Sequence, residues 1–169
     1  MITLSRPCRY FLVLVPMWLA FAACSGDPAI SETAARTAIH RLFSQPLGDH
    51  LYGQDPTEGV QAGYVLEARN YFYLASTPAA RHVPLYRCQT VATHDHFLST
   101  VANCEGAASE ERLGYVATTQ VSETVPLYRL FRAATGNTFY TMSTEEADNA
   151  VSQYSYARQG ITGYVYTTP

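Results

Sequence analysis

Lysine is missing altogether: the 11 basic residues of this 169-residue chain are all arginine, so its positive charge rests on guanidinium groups alone. Tryptophan occurs once, as Trp18, and cysteine four times. No run of basic residues exists and acidic residues outnumber basic ones, which argues against a nucleic-acid partner. No apolar run reaches the roughly 20 residues of a membrane span. Nucleophile motifs of the GxSxG or SxxK type are absent, and no glycine-rich phosphate loop follows a strand. These absences remove the commonest hydrolase, nucleotide-binding and membrane-spanning readings and leave a tyrosine-rich chain to be explained.

The export signal is at the start. Arg6 and Arg9, with no acidic residue, precede the apolar stretch Phe11–Ala23, which ends in small residues. This is a secretory signal pattern. The next residue sharpens it, because Phe21-Ala22-Ala23-Cys24 resembles the bacterial lipobox. A signal peptidase cuts there before a cysteine whose thiol carries a diacylglycerol, so lipidation is expected at Cys24 and residues 1–23 are expected to be removed. Several acyl chains, at about 0.8 kcal/mol per buried methylene, hold such a protein to a lipid bilayer nearly permanently. Ser25, rather than Asp, at the following position favours the outer membrane in a Gram-negative source. An ordinary cleaved signal peptide is the alternative. Residues 24–38 then form a lipidated tether, polar and alanine-rich, able to extend about 45 Å or to form a short helix in its second half. Export also gives the cysteines a reading. With Cys8 in the leader and Cys24 acylated, Cys88 and Cys104 remain as the even pair that an oxidising compartment joins.

The remaining sequence, 39–169, repeats itself. The runs Ile39–Phe43, Leu85–Gln89 and Leu127–Phe131 align on Arg41, Arg87 and Arg129. Nine residues after each arginine comes His50, His96 or Thr138, preceded by Asp49, Asp95 or Asn137. A closing motif follows at Tyr71–Thr77, Leu113–Thr119 and Thr162–Thr168. Three anchors in one order, three times, define repeats at 39–78, 85–120 and 127–169. Each begins with an alternating apolar run that reads as a strand, then a Gly, Asp or Asn turn, then a second strand. Ser143 with Glu146 three residues on makes a capping box, and Asp55-Pro56-Thr57-Glu58 is a weaker helix start in the first copy. The second copy replaces the helix with the stretch holding Cys104. Two further strands are expected to close each copy. The fold class expected is therefore mainly β with short helices, three pseudo-symmetric repeats of about 40 residues closing into a β-trefoil-like barrel. An open row of αβ repeats is the alternative.

These motifs carry a resemblance. Leu-Tyr-Arg, then His-Phe-Tyr-Thr, then Glu-Gly or a short helix, then Gly-Tyr resembles a repeat of unknown function in secreted bacterial proteins, often in tandem and sometimes beside cell-wall hydrolase domains. The third copy is the fullest and the second matches a disulfide-bearing form. The first departs most, with His40 for Tyr and Leu51-Tyr52 for Phe-Tyr. The resemblance implies an extracellular, non-catalytic accessory module.

Chemistry is sparse. His94 and His96, with His50, are the one candidate metal group, but no third ligand is set by spacing and no metal or other cofactor is expected. Glu110-Glu111 and Glu145-Glu146 read as loop and helix-start residues rather than a glycosidase pair. Each repeated arginine has two readings. It can fix a turn by donating to backbone carbonyls or to Asp49 or Asp95. Alternatively, Arg41, Arg87 and Arg129 form equivalent pockets with Asp49-His50, Asp95-His96 and Asn137, where Tyr86, Phe97, Tyr128 and Phe139 stack on a sugar. The expectation is a monomeric, non-enzymatic lipoprotein that binds cell-envelope or extracellular glycan, with protein binding as the alternative and hydrolysis the remote one.

Overall fold

Alternating apolar residues and turn glycines give nine strands, which the structure, a computed structural model, places within its described residues 35–169. The leader, Cys24 and the tether through residue 34 lie outside the described residues. Three groups of elements share one order. The first is β1 (Arg36–Ser44), β2 (Asp49–Gly53), α1 (Pro56–Gln61) and β3 (Val65–Ala75). The second is β4 (His82–Thr90), β5 (Asp95–Ser99), a one-turn 3-10 helix at Cys104–Gly106, and β6 (Ala108–Ala117). The third is β7 (Thr124–Arg132), β8 (Asn137–Thr141), α2 (Thr144–Tyr154) and β9 (Ala157–Tyr166). In every group the first strand pairs antiparallel with both others, so each is a three-stranded unit with its hairpin strand outermost.

The mainly β architecture with short helices agrees with the sequence reading, but the closed trefoil-like barrel does not. Each unit has three strands rather than four, and the nine strands form an open sheet. The stretches expected to be two closing strands merge into one long strand, β3, β6 or β9. Irregularities in register on either side of Arg41, Arg87 and Arg129 let that strand bend without a turn. The tether also ends earlier than expected, since β1 already starts at Arg36, and residues 36–38 are strand rather than helix. Arg36 is held there by Glu123 at 2.7 Å and by the ring of Tyr166, 3.9 Å below its guanidinium.

The units meet along their long strands, through Ala75↔Tyr115, Ala117↔Tyr164 and Tyr73↔Tyr166. The repeated Gly-Tyr pair now has a physical reason. A Cβ on Gly114 would stand 2.9 Å from Leu74 Cβ, and one on Gly163 would stand 2.5 Å from a Val116 methyl, so only glycine admits the neighbouring strand. The core between units holds Ile39, Phe72, Leu74, Leu85, Leu113, Leu127 and Val165. Tyr52 and Tyr140 lie in it fully buried, each with a partnered hydroxyl. Tyr52 donates to the Tyr140 carbonyl and accepts from its N–H, while Tyr140 does the same with Leu98. Thus β2 is tied to β8 and β8 to β5 through phenols rather than a backbone ladder. Position 98 carries leucine and makes no such tie. The disulfide Cys88–Cys104 is formed and buried, pinning the 3-10 turn to β4 where the other units have a helix.

Candidate functional site

Each repeated arginine points outward from its strand bend toward the helix of a different unit. Arg87 is 4 % exposed and grips Glu58 of α1 with two parallel bonds of 2.6 and 3.1 Å, while Glu110 and Glu111 of β6 approach it at 2.6 and 3.0 Å. Arg129 donates at 2.7 Å to Glu105 in the 3-10 turn of the second unit. Arg41 reaches Glu146 of α2, in the third unit, and Glu67 of its own β3. The three contacts run in one sense, each arginine bonding the cap of the preceding unit, with the first wrapping round to the third. Glu58 and Glu146 sit at the third position of their helices. Asp55 and Ser143 cap those helices as expected, accepting from Thr57 N–H and Glu146 N–H. The Glu146 carboxylate does not complete the capping box; it bonds Arg41, Tyr71 and the Thr141 hydroxyl instead.

The arginines therefore bond neither backbone carbonyls nor Asp49 and Asp95, correcting one expectation. Those two carboxyls face inward and join hairpins of different units. Asp49 accepts from the His96 N–H at 3.0 Å, from its ring Nδ1 at 2.6 Å and from the Tyr64 hydroxyl at 2.6 Å. Asp95 accepts from the Thr138 N–H and hydroxyl at 2.6 and 2.7 Å. Asn137, also buried, turns its carboxamide oxygen toward Gly48. Burial raises the Asp95 pKa to about 6, against the opposing effect of its Thr138 bonds. For His96 burial works against the charge, but the bonds to Asp49 and Glu110 outweigh it and raise its pKa to about 9. His96 is thus a structural cation. His94 lies in a left-handed turn ahead of β5, not on the strand face expected for it. Among the described residues no group of three or more His, Cys, Asp or Glu is placed to hold a metal ion.

Where each arginine meets the neighbouring cap, a cleft opens. One is lined by Arg129, Thr138, Phe97 and Phe131, and another by His96, Glu110, Glu58, Tyr64 and Leu51, each of about 330–340 Å³. The third, between β1–β3 and α2, is about 620 Å³. It is lined by Arg41, His50, Glu67, Glu146, Arg132, Gln45 and Asn149 and by the rings of Phe43, Phe139, Tyr154 and Tyr156, with the His50 ring packed on Phe43 and Phe139 at 4.7 and 4.9 Å. Glu67 lies between Arg41 Nε at 3.0 Å and His50 Nε2 at 3.4 Å. His50 Nδ1 and Arg132 Nε are buried without a hydrogen-bond partner. In this cleft the structure brings together Arg41, His50 and Phe139 of the expected site residues. Tyr86 and Tyr128 line none of the three clefts. Strand alternation sends them to the face opposite their neighbouring arginines, where they pack on core clusters. Phe97 and Phe139 are nearly buried, with Arg129 and Arg41 lying over their rings at 5.3 and 5.6 Å, so they form floors rather than open stacking faces.

The residues that sequence reasoning missed are Phe43, Glu67, Arg132, Tyr154 and Tyr156. Period-two counting from Arg41 would have found Phe43, and the residue before each third strand is Tyr64, Ala107 or Tyr156. Against this geometry the comparisons are informative. The family model described as a domain of unknown function, DUF5648, matches residues 20–117 and again 104–169. The chain belongs to that family. This is compatible with the family of unknown function that its motifs resemble. No curated protein and no solved structure matches the chain. The DUF5648 matches overlap at 104–117, within the second unit and ahead of β7.

Proposed function

We propose that this chain is an exported lipoprotein, anchored through acylated Cys24, whose three units are copies of one repeat arranged with pseudo-threefold symmetry and together form a non-enzymatic glycan-binding domain. The observation that carries the reading is the 620 Å³ cleft. It is open, and it combines aromatic rings from Tyr154, which is 61 % exposed, and the half-buried Tyr156 and Phe43 with a lining rich in hydrogen-bonding groups. A pyranose ring has the matching duality of an apolar face and a polar edge. The two smaller clefts stand at corresponding places between units, so weak binding at several of them on one glycan chain is strengthened by multivalency. The paired arginine and glutamate of the large cleft are bonded to each other, which suits positioning rather than proton transfer.

The test is binding of the soluble domain, residues 25–169, to a glycan array and to purified peptidoglycan. Tyr154→Ala is expected to weaken binding at least tenfold while leaving the far-ultraviolet circular dichroism unchanged. A folded domain that binds neither material disposes of the proposal. The anchor is tested separately by metabolic labelling with a fatty-acid analogue, which Cys24→Ala should abolish.

A further inference from the structure

The charges around the large cleft do not all have partners. Arg41 is matched by Glu67 and Glu146, and Glu146 is further occupied by Tyr71 and Thr141. Arg132, the last residue of β7, is half-buried at the rim of the same cleft, and among the described residues no carboxylate, carbonyl or hydroxyl accepts from its guanidinium. Its counterparts by position in the other units are Ser44 and Thr90, so this cation belongs to the large cleft alone. Arg132 and Tyr156 line the same cleft, and the charge of Arg132 partly offsets the rise that burial gives the Tyr156 pKa. His50 lines the same cavity, with its Nε2 3.4 Å from Glu67 and its Nδ1 buried without a hydrogen-bond partner. Leaving a half-buried guanidinium without an anion is costly, and a carboxylate is the anion whose two oxygens match its fork.

Resting on the glycan reading above, we infer that the cleft takes an acidic saccharide, with the sugar carboxylate bound by Arg132 and the ring against Tyr154 and Tyr156. Smaller anions offer nothing for the aromatic wall, and neutral sugars leave Arg132 unpaired. Two sources share this chemistry: uronic acids of extracellular polysaccharide, and the lactyl carboxylate of a muramic-acid unit in cell-wall fragments.

The experiment is calorimetric titration of the full-length protein in mild detergent at low and at 0.15 M salt. The probes are an oligogalacturonate, its fully methyl-esterified counterpart, and a muramic-acid-containing disaccharide. One acidic probe is expected to bind at least tenfold more tightly than the neutral ester, and which acidic probe does so identifies the source. Arg132→Gln should bring acid and ester to equal affinity with thermal stability unchanged or raised, since no protein partner is lost and an unpaired charge is removed. Arg132→Lys, which keeps the charge but not the fork, should retain part of the preference. Equal binding of both acidic probes and the ester by the unaltered protein overturns this inference alone, as does a preference that survives Arg132→Gln. Absence of binding by all three probes overturns the glycan reading with it.

Discussion

Replacing Arg87 by alanine is expected to be the most damaging single change among the repeated arginines. Its guanidinium is about 5 % exposed and stands against three carboxylates, from Glu58, Glu110 and Glu111. Removal leaves those three negative groups crowded together with no counter-ion. Breaking a buried ion pair from one side costs about 3–5 kcal/mol. Part-exposure of the glutamates (28–53 %) lets water relieve some of this, which sets the expectation near the lower end, about 3 kcal/mol. For a domain of this size that corresponds to roughly 10 °C in Tm. Arg129, 22 % exposed with one carboxylate partner that is itself 42 % exposed, should lose only about 1 kcal/mol on the same replacement. The assay is urea unfolding of both variants and of Glu58→Gln, fitted for Cm at constant m. Glu58→Gln removes one partner of three, is expected to cost about 1 kcal/mol, and still leaves Arg87 paired. A loss under 1 kcal/mol for Arg87→Ala, or equal losses at Arg87 and Arg129, would refute the claim that these contacts between units hold the fold.

Four further expectations follow from buried groups. Asp95 has a folded pKa of about 6, above its unfolded value, so its ionisation costs stability that disappears as pH rises from about 4 to 6; Asp95→Asn, the residue the third unit already has, should stabilise the protein at pH 7 by about 1–2 kcal/mol and not at pH 4, as urea unfolding at the two values will show. His96, raised to about 9, contributes fully below about pH 6.5 and is lost as pH climbs through 9, so His96→Gln should flatten the decline in Tm over that window. Reducing Cys88–Cys104, which closes a loop with 16 residues of separation, should cost about 3 kcal/mol, read from unfolding with and without reductant. Gly163→Ala, which drives a methyl group into Val116 and the Ala117 carbonyl, should cost about 2 kcal/mol or more, and an unchanged Cm would contradict the close approach of β9 and β6.

Much of the local structure is visible in residue patterns because its causes are local. Ser143 and Asp55 cap helices where their side chains reach N–H groups two or three residues away. The turn residues at 45–48 and 133–136 separate strands because Gly48 and Gly136 take left-handed conformations. The Cys88–Cys104 pairing expected from the cysteine count is formed. The count of strands was misread for an equally local reason: a register irregularity and a turn look alike in sequence, so one bent strand was taken for two. Side alternation was available but unused, which is why Tyr86 and Tyr128 were placed at the site and Phe43 was not.

By itself, then, the sequence determined the mainly β character, the helix starts and the disulfide, all of which rest on interactions spanning a few residues or on a count. Tertiary structure alone decided where the repeated charges go. Arg41 and Glu146 are 105 residues apart, and Asp49 and His96 47 apart. No spacing rule links such positions until the units pack. The same packing opens the large cleft, because its walls come from the first and last units. Among the described residues it also leaves Arg132 unpaired there, in a cleft whose glutamates are bonded to Arg41 and His50.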